Sequence, residues 1–154
     1  MESAHHPIYE LRRKYYFLSN FYESPIFLDG FPLPFPTLEH AFQAAKTDVY
    51  EEREMLLSCG KPKVAKDLGR TVTLRDNWDS LRLQVMGDLL FQKFSMHADL
   101  CEKLLATGDC LIEEGNTWND TYWGVCNGIG ENHLGKLLMK TRDKLREQTR
   151  QKKT

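Results

Sequence analysis

The sequence predicts an α+β protein, mainly helical, built as one domain over residues 1–154. Three observations carry that expectation. Five segments show helical spacing or helix punctuation. The strand-like runs are short and do not alternate with helices as βαβ units require. The stretch "GNTWNDTYWGVCNGIGENHLG" (115–135) has five glycines and four asparagines, too many to continue a helix or a strand.

Taken in order, residues 1–12 and 149–154 read as frayed ends around a core of about 15–147. "YYFLSNF" (15–21) is aromatic and strand-like, closed by the turn formers Ser19 and Asn20. "PIFLDGFPLP" (25–34) predicts a hairpin with strands Ile26–Leu28 and Phe31–Leu33 about the dipeptide Asp29-Gly30. Prolines 25, 32 and 34 confine it to a sheet edge. The first helix, 37–47, starts at the N-cap Thr37, with Leu38, Phe42 and Ala45 on one stripe. A short helix over 60–70 has Pro62 in its first turn and Gly69 as its stop. The longest, 76–94, carries Trp78, Leu81, Val85 and Leu89 at helical spacing. Helices at 96–108 and 132–147 follow, with a short strand "CLIE" (110–113) between them.

At 41% hydrophobic, 28% charged and 11% aromatic, the chain can bury a core of ordinary size. No apolar run approaches the roughly 18 residues of a membrane span, and "MESAHHPIYE" has no signal-peptide apolar region. A cytoplasmic protein without a membrane partner is expected. Cys59, Cys101, Cys110 and Cys126 form no CxxC pair and are expected to be reduced and mostly buried. Cys126 could be a nucleophile, but no histidine stands at a telling spacing, and the packing role is favoured. The net charge is −1, yet 136–154 hold eight Lys/Arg against two acids. That end is either a solvated helix terminus or a surface for phosphates or nucleic acid. No metal-ligand spacing, GxGxxG or GxxxxGK[ST] motif occurs, so no metal or cofactor is assigned.

Chemistry concentrates in two places. Glu39, Gln43 and Lys46 form a polar stripe on helix 37–47. As a solvated face the stripe would be inert, but "HAFQAAK" is small and apolar enough to suggest a helix packed on several sides. A carboxylate and an amine brought in there would couple and shift. Glu39 could then act as a general base and Lys46 as an amine nucleophile. His40 reads either as an acid/base or as a core hydrogen-bonding group. The glycine-rich stretch pairs backbone freedom with the flat faces of Trp118, Tyr122 and Trp123, and Asp120 is its acid. It predicts either a lid on the core or a pocket for a ringed, polar small molecule.

"FLSNFYESPI", "PTLEHAFQAAK", "NWDSLRLQVM" and "EGNTWNDTYWGVCNGIGENHLGKLLMKTR" together resemble the YbiA/NADAR family, from about Tyr16 to Arg142. The resemblance implies a compact YbiA-like domain with a ribosyl-phosphate or ADP-ribose ligand and an N-glycosidase activity. The scissile ribosyl C–N bond would lie in phosphoribosylamino-pyrimidine intermediates of riboflavin synthesis or in ADP-ribosylated guanine of nucleic acid. A non-catalytic module binding ADP-ribose or NAD is the alternative. Family motifs fall on Asn20 and Phe21, on Glu39, His40 and Lys46, and on Trp118, Asn119, Asp120, Trp123 and Gly124. They imply Glu39 stabilising the cationic sugar and Lys46 attacking C1′ or pairing charge. Asp120 would orient water or a hydroxyl, and Trp118 and Trp123 would stack. Asn20 and Phe21 would close the opposite wall, with His40, Asn119 and Gly124 also in contact with the ligand.

Overall fold

The computed structural model describes residues 6–153. The architecture is α+β and mainly helical. Residues 1–5 and 154, part of the expected frayed ends, lie outside the described residues. The chain forms two compact units, one of residues 6–19 and 94–153 and one of residues 20–93.

In the unit of residues 20–93, β1 (Glu23–Ile26) pairs antiparallel with β2 (Phe35–Thr37). Asp29-Gly30 does make the expected turn, with Gly30 at φ +78° and Phe31 N–H donating to the Leu28 carbonyl. The returning strand, however, begins at Phe35 instead of Phe31. Pro32 and Pro34 lack the N–H groups a ladder needs, so pairing resumes only beyond them. Gln92 fills the gap: its side-chain amide accepts from Phe27 N–H at 2.7 Å and donates to the Phe27 carbonyl at 2.9 Å.

Helix α1 (Leu38–Ala45) follows β2 directly, and all eight of its residues are buried. The packed helix, not the solvated face, is therefore the arrangement found. α2 (Tyr50–Ser58) and α3 (Pro62–Leu68) lie against it. No sequence signal marks α2, because only Leu56 of its nine residues is buried and no side chain caps its start. In α4 (Trp78–Met96), Trp78 and Leu89 are buried as expected, but Leu81 and Val85 are only half-buried. Met86, Leu90 and Phe94 carry the rest of the helix's buried face.

In the other unit, residues 13–18 form a 3-10 turn, not the expected strand. Aromatic residues favour strands only where a neighbouring strand offers pairing, and none is present here among the described residues. Phe17 instead packs edge-on against Phe94, ring centroids 6.4 Å apart. The segment before it is docked, not frayed. Ile8 bridges to Ile112 and Leu11 is buried, with Ile8 N–H bonded to the Leu111 carbonyl at 2.7 Å. That single bridge is all that exists of the strand expected at 110–113.

α5 (Ala98–Ala106) and α6 (His133–Lys152) complete this unit, with parallel two-residue strands β3 (Gly115–Asn116) and β4 (Val125–Cys126) in the glycine-rich stretch. α6 runs further than 147 because "REQTRQK" consists largely of good helix formers. The buried Arg142 ties it to the segment after α5, donating to Thr107 Oγ1 at 2.9 Å and the Cys110 carbonyl at 3.0 Å. All four cysteines are free thiols, but only Cys126 is buried; the other three are half-exposed, fewer buried thiols than expected. No helix among the described residues is long and apolar enough to cross a membrane.

Candidate functional site

The start of α1 is fixed by a reciprocal cap. Thr37 Oγ1 accepts from His40 N–H at 3.1 Å and lies 2.8 Å from His40 Nδ1. The other ring nitrogen, Nε2, is 3.0 Å from the Cys59 carbonyl. A carbonyl can only accept, so Nε2 carries the proton and Nδ1 accepts from the threonine hydroxyl. His40 is wholly buried with both nitrogens engaged, an arrangement that positions the helix and leaves no ring edge for a ligand.

Burial lowers the His40 pKa, opposed by the bond to Cys59. A histidine held neutral in the fold but with an ordinary pKa near 6.5 when unfolded binds fewer protons folded than unfolded. Stability is therefore expected to be full above about pH 6.5 and to decline as pH falls below it. Thermal melts at pH 7.5 and 5 check this, and an unchanged melting temperature would contradict it.

One residue before His40, the Glu39 backbone N–H donates to the Asn20 carbonyl at 3.0 Å. Glu39 is 8% exposed, and its carboxylate takes a 2.6 Å hydrogen bond from Gln43 Nε2, one turn on. Asn20 is buried, its amide donating to Met86 Sδ at 3.6 Å, and its Oδ1 has no hydrogen-bond partner among the described residues. Phe21 beside it is half-buried. Asn20 and Glu39 are thus brought together by backbone as well as by sequence pattern.

Lys46 caps the other end of α1 and is half-buried. Its carbonyl accepts from Arg75 N–H at 2.8 Å, while the Arg75 guanidinium donates to the Ala45 carbonyl and Arg53 Nε to that of Thr47. Two cations satisfy the orphan carbonyls at the negative end of the helix dipole, so the Lys46 backbone is held firmly. Burial lowers the Lys46 pKa; the Glu39 charge opposes that, and Arg70 and Arg82 reinforce it. A carboxylate and an amine with a suppressed proton affinity stand on one helix, the arrangement expected of acid–base or nucleophilic chemistry.

Gly69 is a participant the sequence showed only as a helix stop. It adopts ordinary helical angles, so its backbone does not require glycine. A Cβ there would run into the side-chain amide of Gln43, whose Oε1 is buried against it. Gly69→Ala is therefore expected to swing the flexible Gln43 amide away and release Glu39. Any reaction that depends on Glu39 would slow about tenfold while the melting temperature changes by only a few degrees. Wild-type turnover in this variant would show that Gln43 does not position Glu39.

The other unit holds the aromatic loop. Asn116 clamps it from both sides: Nδ2 donates to the Asp120 carbonyl at 2.9 Å and Oδ1 accepts from Asp120 N–H at 3.0 Å. Asp120 Oδ1 accepts from the N–H groups of Tyr122 and Trp123, and Asn119 adopts φ +68°, a conformation asparagine tolerates. The carbonyls of Tyr122 and Trp123 then accept the first two N–H groups of α6. Trp123 is half-buried and meets Tyr122 edge-on at 5.0 Å, while Trp118 is 58% exposed. Gly124 cannot carry a Cβ, which would strike the Glu114 carbonyl. Asp120 thus has a part in shaping the loop that its sequence context did not disclose. An open groove of about 320 Å³ beside this loop is lined by Tyr9, Glu10, Glu113, Asn116 and Asn127, with none of the expected ligand residues.

Comparison with known proteins places this arrangement in a family. The NADAR domain model matches residues 8–146. The N-glycosidase YbiA of Escherichia coli is 44% identical over 130 residues, covering 82% of this chain and 79% of that protein. An N-glycosidase of Nostoc punctiforme is 40% identical, covering 71% and 74%. A riboflavin biosynthesis protein of Vibrio vulnificus is 34% identical over 90% of this chain, which spans 38% of that protein. The NMR structure of E. coli YbiA superposes with a TM-score of 0.80 at 40% identity, covering 93% of this chain and 85% of that one. This chain belongs to the NADAR domain family.

Proposed function

We propose that this chain is an N-glycosidase that hydrolyses a ribosyl C–N bond, with Glu39 as its principal acid–base group. The observation that carries the reading is the buried Glu39 carboxylate, fixed by Gln43, on the same helix as a lysine whose proton affinity burial has reduced. Relatives named N-glycosidases at 40–44% identity support it.

As the C1′–N bond breaks, its electron pair leaves with the base nitrogen and positive charge spreads over C1′ and the ring oxygen. A carboxylate at Glu39 stabilises that charge and takes a proton from the attacking water. The hydroxyl joins C1′, and the proton is passed on to the departing nitrogen. The unpartnered Asn20 acceptor is suited to a sugar hydroxyl. In the other unit, considered by itself, Trp118 presents an exposed flat face and Asp120 holds the loop that bears it.

The substrate is a ribosylamino-pyrimidine phosphate or an ADP-ribosylated guanine. The purified protein is tested against each separately, the released sugar being followed by mass spectrometry. Release from the pyrimidine compound alone assigns metabolite clearance, and release from the guanine oligonucleotide alone assigns nucleic-acid repair. Tight ADP-ribose binding without release from either would favour a binding module and count against the enzyme.

A further inference from the structure

We propose that Glu52 is a positioning residue for Lys46, its carboxylate joining the two chain segments that hold the end of α1 and so fixing where the lysine amine stands. The inference rests on the N-glycosidase reading and deepens it, naming a residue of α2 on which the geometry of the Glu39–Lys46 helix depends.

Lys46 stands just past the last helical residue of α1, where a helix frays most readily. The closing turn is tightened and its bonds are long: Lys46 N–H reaches the Gln43 carbonyl at 3.2 Å and Thr47 N–H the Ala44 carbonyl at 3.3 Å. Glu52, in the first turn of α2, secures that turn from outside the helix. Its Oε1 accepts from the Thr47 hydroxyl at 2.6 Å and from Thr73 N–H at 2.9 Å, and its Oε2 accepts from the Thr73 hydroxyl at 2.9 Å. Thr47 follows Lys46 directly and is wholly buried, its hydroxyl also accepting from Val49 N–H at 3.1 Å. Thr73 lies two residues before Arg75, whose N–H donates to the Lys46 carbonyl at 2.8 Å. One carboxylate thus ties the residue after Lys46 to the segment that bonds the Lys46 carbonyl.

Hydrogen bonds from Thr47 and then Thr73 hold the Glu52 carboxyl below its ordinary pKa, so it stays ionised, and accepting, through the neutral range. Because Leu56 is the only buried residue of α2, directed polar contacts fix the helix on α1 where an apolar face does not. Without Glu52 the closing turn is free to open, and the half-buried Lys46 amine moves into water. Burial is the largest cause of the lowered Lys46 pKa, so rehydration raises it. Losing the charge of a carboxylate acts the other way, lowering the pKa of a nearby ammonium. The sign of the change therefore separates position from charge. Glu39, Arg70 and Arg82, which act on Lys46, and Asp48, Arg53 and Arg75 at the same helix end are untouched by a substitution at Glu52.

The test reads the Lys46 amine itself, by isotope-labelled reductive methylation of the whole chain and NMR titration, with Lys46→Arg identifying its signal. Glu52→Ala is expected to titrate at higher pH than the wild type, and its kcat to fall about 10²-fold with KM little changed. Glu52→Gln keeps an oxygen for the Thr47 hydroxyl and Thr73 N–H, and its amide can donate to the Thr73 hydroxyl, so it should restore the wild-type titration. If Glu52→Ala fails to fold, Thr73→Val, at an exposed residue, removes one of the three bonds and should move the titration part of the way upward. A merely structural Glu52 would lower the melting temperature and leave the titration where it was. An unmoved or lowered Lys46 titration in the folded variants would overturn the proposal. A raised titration in Glu52→Ala with no sugar release by the wild type would sink the glycosidase reading alone. Release by the wild type with an unmoved titration in Glu52→Ala would sink the positioning role alone.

Discussion

Glu39→Gln is expected to reduce sugar release by about 10³-fold, within the range general acid–base groups contribute. The substitution keeps shape and keeps an oxygen able to accept from Gln43 Nε2, so the buried contact of 2.6 Å can persist. What it removes is the charge. An amide neither stabilises a developing cation at C1′ as a carboxylate does nor accepts a proton from water. Stability should change by no more than about 1 kcal/mol, because no cavity is made and an oxygen able to accept from Gln43 is retained. The loss is expected in kcat and kcat/KM alike, the signature of an interaction made in the transition state. Full activity in a folded Glu39→Gln protein would remove Glu39 from the chemistry and with it the proposed mechanism.

The same helix shows how far sequence carried the reading. The Thr37 cap, the stripe of Leu38, Phe42 and Ala45, and the polar trio of Glu39, Gln43 and Lys46 are local features, set by helical spacing and capping chemistry. Spacing could not say whether the polar stripe faces solvent, because that depends on what α2 and α3 do, and α2 gave no amphipathic signal. Strand assignments failed for the same reason in reverse. Residues 15–18 have strand-like side chains but no partner strand among the described residues. Gly69 became visible as a neighbour of the Glu39–Lys46 helix, and Arg70 and Arg82 as charges acting on Lys46, only once segments more than twenty residues apart were brought together by the fold. In the aromatic loop the composition was legible. The cost of its backbone polar groups was not: Asn116 and Asp120 spend much of their bonding capacity on the loop itself.

Lys46→Arg should be nearly as damaging as the Glu39 change, again about 10³-fold, if the lysine acts as an amine. Arginine preserves the positive charge but stays protonated and cannot attack C1′. In the nucleophilic route the lysine nitrogen bonds to C1′ of the ring-opened sugar as the base nitrogen departs with a proton, and water then frees the sugar. Burial, aided by Arg70 and Arg82, lowers the Lys46 pKa, so the reactive amine forms at lower pH than for an ordinary lysine. The rate is then expected to rise with pH through that lowered pKa. A charge-partner lysine gives the opposite slope, losing activity as it deprotonates, and Lys46→Arg would then retain most of its rate. Borohydride added during turnover should leave a sugar adduct on Lys46, and its absence on a good substrate would count against the covalent route. Arg70 contributes to the lowered Lys46 pKa, so Arg70→Ala is expected to move the pH profile toward that of an ordinary lysine.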